Sequence, residues 1–340
     1  MNNFKKIGLT VLAGSMAAVS ANAIELAVTG STNVSHISEE SAKSSTVGGS
    51  SLGVDTAIMF NGSGELENGW TVSTYAALND GGAAALSSSQ LTIGMGSLGT
   101  LRFAQHFGTA ANGIDDVTPK VYEEVWDNSV GSAKLQGFGR QTAEGAVTYT
   151  TPSFNLGDAS ATLAVDYDPQ AGVASNDHDA VSVASSSYGS GQAAVLKLDL
   201  GQGIKGGFGM EELTGQPGSS DETNMTAYVL YTVGSISAGV QAYNLDAGDK
   251  GAADYTGETY SVAFNVNDNL SIGYQKLKET KEAVGVTTSA KQDMQALSVA
   301  YSMGGMTLAV QQIDVDKANF SAGADQVDGE ETEINLSFAF

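Results

Sequence analysis

The C-terminal stretch Ile334-Asn335-Leu336-Ser337-Phe338-Ala339-Phe340 decides the fold class. Its large apolar residues occupy every second position, and the residues between them are small or polar. This period of two predicts a β-strand with one apolar face and one polar face. The alternation recurs about sixteen times along the chain, and only 41% of all residues are hydrophobic. That is too few to cover both faces of a sheet, so the pattern favours a closed barrel with lipid outside and water inside.

The N-terminal residues 1–23 have the pattern of a secretory signal peptide. Lys5 and Lys6 form a short positive segment, residues 7–19 are apolar, and Ala21-Asn22-Ala23 is a small-x-small cleavage site. The apolar segment is too short to cross a bilayer, which takes about 20 residues. We therefore expect cleavage after Ala23 and a barrel domain spanning residues 24–340.

The composition excludes several classes of protein. The 340 residues contain no cysteine, which rules out disulfides and thiolate metal sites. The 42 glycines and 4 prolines suit a sheet with many tight turns. Beyond the N terminus, no apolar run is long enough to predict a transmembrane helix. A formal net charge of −23 repels nucleic acid and attracts cations.

Turn residues divide the chain into sixteen predicted strands, joined alternately by short and long connections. The short turns are predicted at residues 67–69, 97–99, 155–158, 201–203, 234–235, 267–269 and 304–305. Because this alternation puts every short turn on one side of a membrane, it favours an antiparallel transmembrane barrel. A soluble β-sandwich or a β-solenoid adhesin remains an alternative.

Parity along each strand assigns its side chains to the outer or the inner face. Leu101 and Phe103 mark the outer face of the fifth strand, so Arg102 is expected to point inward. The same argument places these further side chains in the lumen: His106, Asp166, Asp168, Lys197, Asp199, Lys205 and Glu211. A charge near the middle of the lipid face costs roughly 2–4 kcal/mol, so this segregation is expected of a spanning barrel.

Two lysines depart from that segregation. Lys276 and Lys278 share parity with the apolar residues Ile272 and Tyr274. We expect them near the outer rim of the barrel, where a long side chain can reach lipid phosphates.

The third long connection, residues 107–139, is unusually long for a series of hairpins. It contains one tryptophan and seven charged residues, namely Asp115, Asp116, Lys120, Glu123, Glu124, Asp127 and Lys134. A connection of this length inside a regular barrel is usually functional.

The runs on either side of this connection resemble those of the general porins, the trimeric outer-membrane channels of Gram-negative bacteria. The run GMGSLGTLRFAQ at residues 94–105 is similar to the hairpin that precedes the constriction loop in that family. The run Gly139-Arg140-Gln141, followed by AVTYTTPSF at 146–154, is similar to the strand after that loop. The terminal Phe340 resembles the residue that the outer-membrane assembly machinery reads as its signal.

The resemblance implies a sixteen-stranded transmembrane β-barrel with short periplasmic turns, long outer loops and a third loop folded inward. It also implies a homotrimer in the outer membrane, in contact with lipid and lipopolysaccharide, that lets small hydrophilic solutes and ions diffuse passively. By position, the acidic side of the constriction would consist of Asp115, Asp116, Glu123, Glu124 and Asp127. The basic wall would consist of Arg102 and Arg140.

The chain departs from the family in its arginines. Ala104-Gln105-His106 stands where the family has Gly-Arg-Gln, and Arg102 and Arg140 are the only arginines in the sequence. Because few fixed cations face many carboxylates, we predict a cation-selective pore. A closed structural or adhesive barrel and a substrate-selective porin remain alternatives.

Other motifs carry little weight. The G-x-G-x-x-G matches at 94–99 and 201–206 lie between two strands, whereas dinucleotide binding needs a following helix. The sequence contains three histidines, and the strand pattern places no nucleophile or pair of carboxylates beside them. They therefore do not predict an enzyme. The loop at 176–179 could hold a divalent ion through oxygen atoms, but a solvated loop is favoured. We therefore predict no cofactor and no metal site.

Overall fold

A computed structural model describes residues 25–41, 48–79, 85–105, 107–134, 138–139, 145–169, 171, 188–215, 220–248, 253–283, 289–322 and 326–340. The predicted signal peptide, His106 and Arg140 lie outside the described residues. In the described part, no helix is long and apolar enough to cross a membrane.

The described residues form one antiparallel sheet of sixteen strands that closes on itself. The first eight strands are β1 Glu25–Ser41, β2 Gly48–Glu65, β3 Thr71–Asn79, β4 Ala85–Gly94, β5 Thr100–Gln105, β6 Ala146–Thr150 with Phe154–Leu156, β7 Ala159–Asp168 and β8 Tyr188–Gly201. The second eight are β9 Ile204–Gly215, β10 Glu222–Val233, β11 Ile236–Asp246, β12 Asp254–Asn265, β13 Leu270–Glu282, β14 Ala290–Met303, β15 Met306–Asp316 and β16 Gly329–Ala339. Each strand pairs with the next along the chain, and β16 pairs back with β1.

Strand β6 is interrupted at Thr151-Pro152-Ser153. Its two segments pair with the same neighbour, β7, so they occupy one strand position in the barrel. Proline has no amide hydrogen to donate to a ladder, which explains the gap in regular pairing. The sequence predicts a turn at residues 155–158, whereas the second segment of this strand extends over Phe154–Leu156.

The closing seam joins the two ends of the barrel. Val34 lies opposite Leu336, and the pairing continues along β1 and β16. At the last residue, the Gly30 amide donates to the Phe340 carbonyl at 2.8 Å, and the Phe340 amide donates back at 2.9 Å. A Cβ on Gly30 would lie 2.7 Å from the Phe340 ring, so the ring rests directly on the glycine.

The predicted alternation of short turns and long connections is confirmed, but several strands extend further than predicted at the end away from the short turns. Strand β1 continues to Ser41, through the polar residues 38–41, and β16 begins at Gly329, before the apolar alternation that starts at Ile334. These extensions carry polar side chains on both faces, so the hydrophobic alternation does not reveal them. Backbone pairing between neighbouring strands continues past the apolar belt.

The outer face follows the predicted parity. Phe103, Leu163, Val165 and Tyr167 are each more than a third exposed, as expected of side chains that face outward. Asp166 and Asp168, on the opposite parity, are 3% and 0% exposed. Lys276 and Lys278 lie on the outward parity of β13, paired across to Tyr260 and Glu258 of β12.

Candidate pore constriction

The constriction loop, residues 107–139 between β5 and β6, lies against the inner face of the barrel. Its apolar side chains Ile114, Val125, Trp126 and Phe138 are buried. They form two clusters with inward side chains of the wall. The wall members of these clusters are Ala164, Ala193, Val195, Tyr228, Tyr243, Leu245, Leu277, Met294, Ala296, Ile313 and Val315. The loop therefore packs along β7–β16, and we call this inner surface the anchoring wall.

Asp166 on β7 fixes the start of the loop. Its carboxylate accepts hydrogen bonds from the Ala110 amide at 3.0 Å and the Ala111 amide at 2.9 Å. The Thr148 hydroxyl on β6 donates to the same carboxylate. A carboxylate that accepts several donors is well satisfied even when it is buried.

The two described cations predicted to face the lumen near this point also bind the loop. Arg102 donates to the Gly108 carbonyl at 3.0 Å and to the Thr92 hydroxyl at 3.3 Å. Lys197 donates to the Gly113 carbonyl at 3.3 Å. Both side chains donate to backbone carbonyls of the loop.

Gln241 on β11 holds the middle of the loop. Its side chain is completely buried. The amide nitrogen donates to the Ile114 carbonyl at 2.8 Å and to the Asp115 carbonyl at 3.0 Å, while the amide oxygen accepts from the Val117 amide at 3.1 Å. One carboxamide thus satisfies three loop backbone groups that could not otherwise reach water.

Strands β15 and β16 hold the next part of the loop. Gln311 donates to the Glu123 carbonyl at 3.1 Å, and the Tyr122 hydroxyl donates to Glu333 at 2.9 Å. The Ser129 amide donates to Glu331 at 2.9 Å, and its hydroxyl donates to the same carboxylate. The loop therefore reaches from β7 to the last strand of the barrel.

The end of the loop is held from β9, β13 and β14. The Lys134 amide donates to Glu279 at 2.7 Å, and Gln292 donates to the Ser132 carbonyl at 3.1 Å. The Gly139 amide donates to Glu211 at 2.9 Å. Glu211 was predicted to face the lumen, and here it lies buried beneath the loop.

Glycines on the anchoring wall make room for the loop. A Cβ on Gly209 would lie 2.5 Å from Ile114, and one on Gly273 would lie 2.7 Å from Val121. A Cβ on Gly239 would lie 2.7 Å from Pro119, and one on Gly329 would lie 2.5 Å from Val130. These glycines form a groove in which the loop approaches the strands more closely than any side chain would allow.

The five predicted acidic residues of the loop have different surroundings. Asp127 is exposed, whereas Asp115, Asp116 and Glu123 are half-buried. Glu124 differs from the prediction, because it is 7% exposed and forms an ion pair with Lys120. Burial and pairing keep Glu124 from acting as a free charge at the surface of the lumen.

Burial raises the pKa of several of these carboxyl groups, because a low-dielectric environment disfavours the ionised form. The pKa of Asp115 rises to about 8, first through burial and then through the neighbouring charge of Asp116. The pKa of Glu123 rises to about 7, through burial and the charge of Glu333. Although the residue as a whole is exposed, the carboxyl group of Asp127 is partly desolvated, which raises its pKa against the opposing charge of Lys120.

The inner face of β1–β4, which we call the open wall, is covered less. The start of the loop reaches β4, where Gln90 donates to the Phe107 carbonyl at 3.2 Å, and the inward Ala77 and Ser88 are buried. Asn61, Ser63, Ser73 and Asn79 point inward and are exposed, in contrast to the buried Gln241. The neighbouring inward residues Ser31, Asn33, Ser35 and Tyr75 are half-buried. Part of this wall therefore faces open space and is lined there by small polar side chains.

Arg102 is the one cationic side chain on the inner face of β1–β5 among the residues the structure describes. Asp199 shares the inward parity of Lys197 but lies beside the β8–β9 turn, where it accepts from the Gly201 amide at 3.0 Å. In the described ranges, no group of three or more histidine, aspartate or glutamate side chains is arranged to hold a metal ion.

The prediction from sequence missed the residues that anchor the loop, namely Gln241, Glu279, Gln292, Gln311, Glu331 and Glu333. Parity could have assigned them to the inner face, because each has the inward parity of its strand. The identity of their partners could not be read from the pattern, since those partners are backbone groups of a distant loop.

The arrangement can be compared with known proteins. No protein-family model matches the sequence, and no curated protein sequence matches it. Solved structures do match. OmpF of Salmonella typhi, in complex with daunomycin, gives a TM-score of 0.69 at 10% identity over 93% of this chain and 97% of that chain.

Two further structures agree. An anion-selective porin from Comamonas acidovorans gives a TM-score of 0.66 at 14% identity over 94% of this chain and 100% of that chain. A loop L8 deletion mutant of OmpT, an outer membrane protein of Vibrio cholerae, gives a TM-score of 0.65 at 14% identity over 93% of this chain and 99% of that chain. The chain therefore has the fold of the sixteen-stranded outer-membrane porins.

Proposed function

We propose that this protein is a passive diffusion channel for small hydrophilic solutes and ions across an outer membrane. One observation carries the proposal. Inward side chains of the anchoring wall are buried beneath the constriction loop, whereas Asn61, Ser63, Ser73 and Asn79 of the open wall are exposed. This contrast supports a water-filled passage beside the loop. Its polar lining and the apolar outer face suit a membrane channel.

The passage favours cations in this proposal. Asp116 and Asp127 belong to the loop, and Asp115 adds charge as it ionises at higher pH. The free positive charge of the loop is reduced because Lys120 pairs with Glu124. On the opposite side, the small polar residues of the open wall supply no compensating cation, and Arg102 is engaged with Gly108 and Thr92. Carboxylates in a narrow passage concentrate cations and repel anions. One of the structural relatives is anion-selective, so the fold itself does not decide the preference.

We further propose a homotrimer. The outward face of β1–β5 carries polar pairs, with Thr32 and Thr56 hydroxyls 3.2 Å apart and Ser89 donating to Gln105 at 3.5 Å. Exposed apolar residues lie on both faces, with Leu52, Val54 and Phe103 on β1–β5 and Leu163, Tyr167 and Phe208 on β7–β10. The Thr32–Thr56 pair is set apart because it lies in the middle of its two strands. Polar groups are poorly accommodated by lipid, so a second copy is the better cover for β1–β5. OmpT of Vibrio cholerae, a structural relative, is known in a trimer form.

Location and assembly follow from the same proposal. Residues 1–23 would direct export, residues 24–340 would form the barrel, and Phe340 on the closing seam would serve as the assembly signal. The outward Lys276 and Lys278 would contact phosphates of membrane lipid or lipopolysaccharide at the rim.

Planar-bilayer recording of the purified protein under a KCl gradient tests the channel and its selectivity together. We expect ohmic steps in multiples of three and a reversal potential directed toward cations. Asp127→Asn should move the reversal potential closer to zero, because it removes an exposed charge beside the passage. Asp268→Asn, in the short β12–β13 turn, removes the same charge away from the loop and should leave it unchanged.

The outcomes separate the alternatives. An absence of steps from folded, heat-resistant protein would favour a closed structural or adhesive barrel and refute the channel. Steps with an anion-directed potential would keep the channel and refute the cation preference. Saturable block by one solute would identify a substrate-selective porin.

A further inference from the structure

The loop between β15 and β16, residues 317–328, folds inward onto the end of the constriction loop. We call it loop 8, and the structure describes its residues 317–322 and 326–328. A short 3-10 turn at Ala318–Phe320 lies at its start. Ala318 and Phe320 are buried, and the Phe320 ring packs on Tyr255 with centroids 5.4 Å apart.

The backbone of this turn is unusual. Lys317, Asn319 and Phe320 all have positive φ, at 56°, 55° and 60°. Residues other than glycine rarely adopt this conformation, and asparagine tolerates it best among them. Such a conformation persists only where surrounding contacts hold it, and here Asp328 accepts from the Lys317 amide at 2.8 Å while Val327 accepts from the Ala318 amide at 2.7 Å.

Asn319 closes a ring of hydrogen bonds between three parts of the barrel. Its side-chain oxygen accepts from the Ser132 hydroxyl at 2.9 Å and from the Ser132 amide at 3.2 Å. Its own amide donates to the side-chain oxygen of Gln292 on β14. The side-chain nitrogen of Gln292 then donates back to the Ser132 carbonyl at 3.1 Å. The constriction loop, loop 8 and the wall are thus joined at one point.

We propose that Asn319 is a positioning residue that holds the end of the constriction loop against the wall and so keeps the channel open. This rests on the proposed channel function. The Ser132 amide and carbonyl have no strand partner in this loop, so the ring satisfies both of them. When the ring opens, the segment around Ser132 remains held at Ser129 and Lys134 but bends into the passage between them, which would appear as brief closures of the channel.

Three substitutions at one position separate the side chain from the backbone. Asn319→Gly permits positive φ but removes the acceptor, so closures should become more frequent. Asn319→Asp keeps an acceptor oxygen and a residue that tolerates positive φ, so it should behave nearly as the native chain does. Asn319→Ala removes the acceptor and disfavours the backbone, so it should have the largest effect. Heat-dependent mobility of the barrel on gels checks that each variant folds.

A second measurement does not depend on conductance. The chain has no cysteine, so Val130→Cys introduces a single thiol at a position that is 8% exposed in the native chain. In the Asn319→Gly background this thiol should react with a soluble maleimide about fivefold faster, the factor expected for the loss of one net hydrogen bond. In the Asn319→Asp background its rate should stay near that of the native residue.

Two results would overturn the proposal. One is an Asn319→Gly variant with native labelling and native closures, and the other is an Asn319→Asp variant that behaves like Asn319→Gly. A native protein that forms no channel would instead refute the proposed function, while thiol labelling would still test the role of Asn319. As a complementary check, the pair Ser132→Cys and Asn319→Cys should suppress closures when oxidised and restore them when reduced.

Discussion

At the scale of single residues, the constriction loop combines charge with partial burial. Asp115 and Glu123 lie between the loop backbone and the wall, and burial shifts the pKa of both carboxyl groups toward neutrality. Their charge therefore changes within the ordinary range of pH, unlike that of a solvated carboxylate.

The first prediction is a selectivity that depends on pH. With a pKa of about 8, Asp115 is about one-tenth ionised at pH 7 and about nine-tenths ionised at pH 9. Because a raised pKa leaves an acid neutral below that value, the passage gains negative charge as pH rises. The reversal potential in a KCl gradient should therefore move further toward cations between pH 6 and pH 9.

Asp115→Asn is the matched variant for this prediction. It should flatten the upper part of the pH dependence, while Asp268→Asn in the β12–β13 turn should preserve it. A native channel whose reversal potential is constant between pH 6 and pH 9 would contradict the assignment of a titrating carboxyl group to the passage.

At the scale of structural elements, the seating of the loop depends on the wall glycines. Gly273 on β13 faces Val121 so closely that a Cβ would lie 2.7 Å from a methyl group of that residue. Any larger side chain must displace the loop toward the open wall. The groove therefore sets the width of the passage as directly as the loop does.

The second prediction concerns Gly273→Val. Overpacking costs about 1–3 kcal/mol, which the loop can avoid by moving into the passage while the strands stay paired. Single-channel conductance should fall, and heat-resistant mobility on gels should persist. Gly49→Val on β2, where an added Cβ meets nothing within 4 Å, is the control and should conduct as the native protein does.

The strand pattern could be predicted from the sequence because side chains with period two must segregate between lipid and water. That is the basis on which parity assigns Arg102, Asp166 and Lys197 to the inner face, and in the structure all three contact the constriction loop. The polar extensions of β1 and β16 could not be predicted, since they lack an apolar face. The pairing of Glu124 with Lys120 was also missed, because parity does not apply within a loop.

At the scale of the whole molecule, the barrel is closed by one seam between its first and last strands. Phe340 bonds through its backbone to Gly30, and its ring covers the space that a side chain at position 30 would need. The last residue thus contributes both hydrogen bonds and packing to closure.

The third prediction is that Gly30→Val impairs closure. Its side chain would collide with the Phe340 ring and with the Ala57 carbonyl, each 2.7 Å from the position of an added Cβ. We expect less heat-resistant barrel after refolding in detergent. Gly53→Val on β2, where the nearest atom is 3.5 Å away, should refold normally. Equal yields from the two variants would argue against tight packing at the seam.

The anchoring of the constriction loop to β16 constrains the order in which the molecule is built. Ser129 and Glu331 are 202 positions apart, and Tyr122 and Glu333 are 211 apart. Contacts so distant in sequence form late, because the intervening chain must be ordered first. The segment from Tyr122 to Ser129 cannot make these contacts before the last strand has been added. A nascent barrel would therefore pass through a stage in which only the first part of the loop is seated, and fixing of this segment would be a late step of its biogenesis.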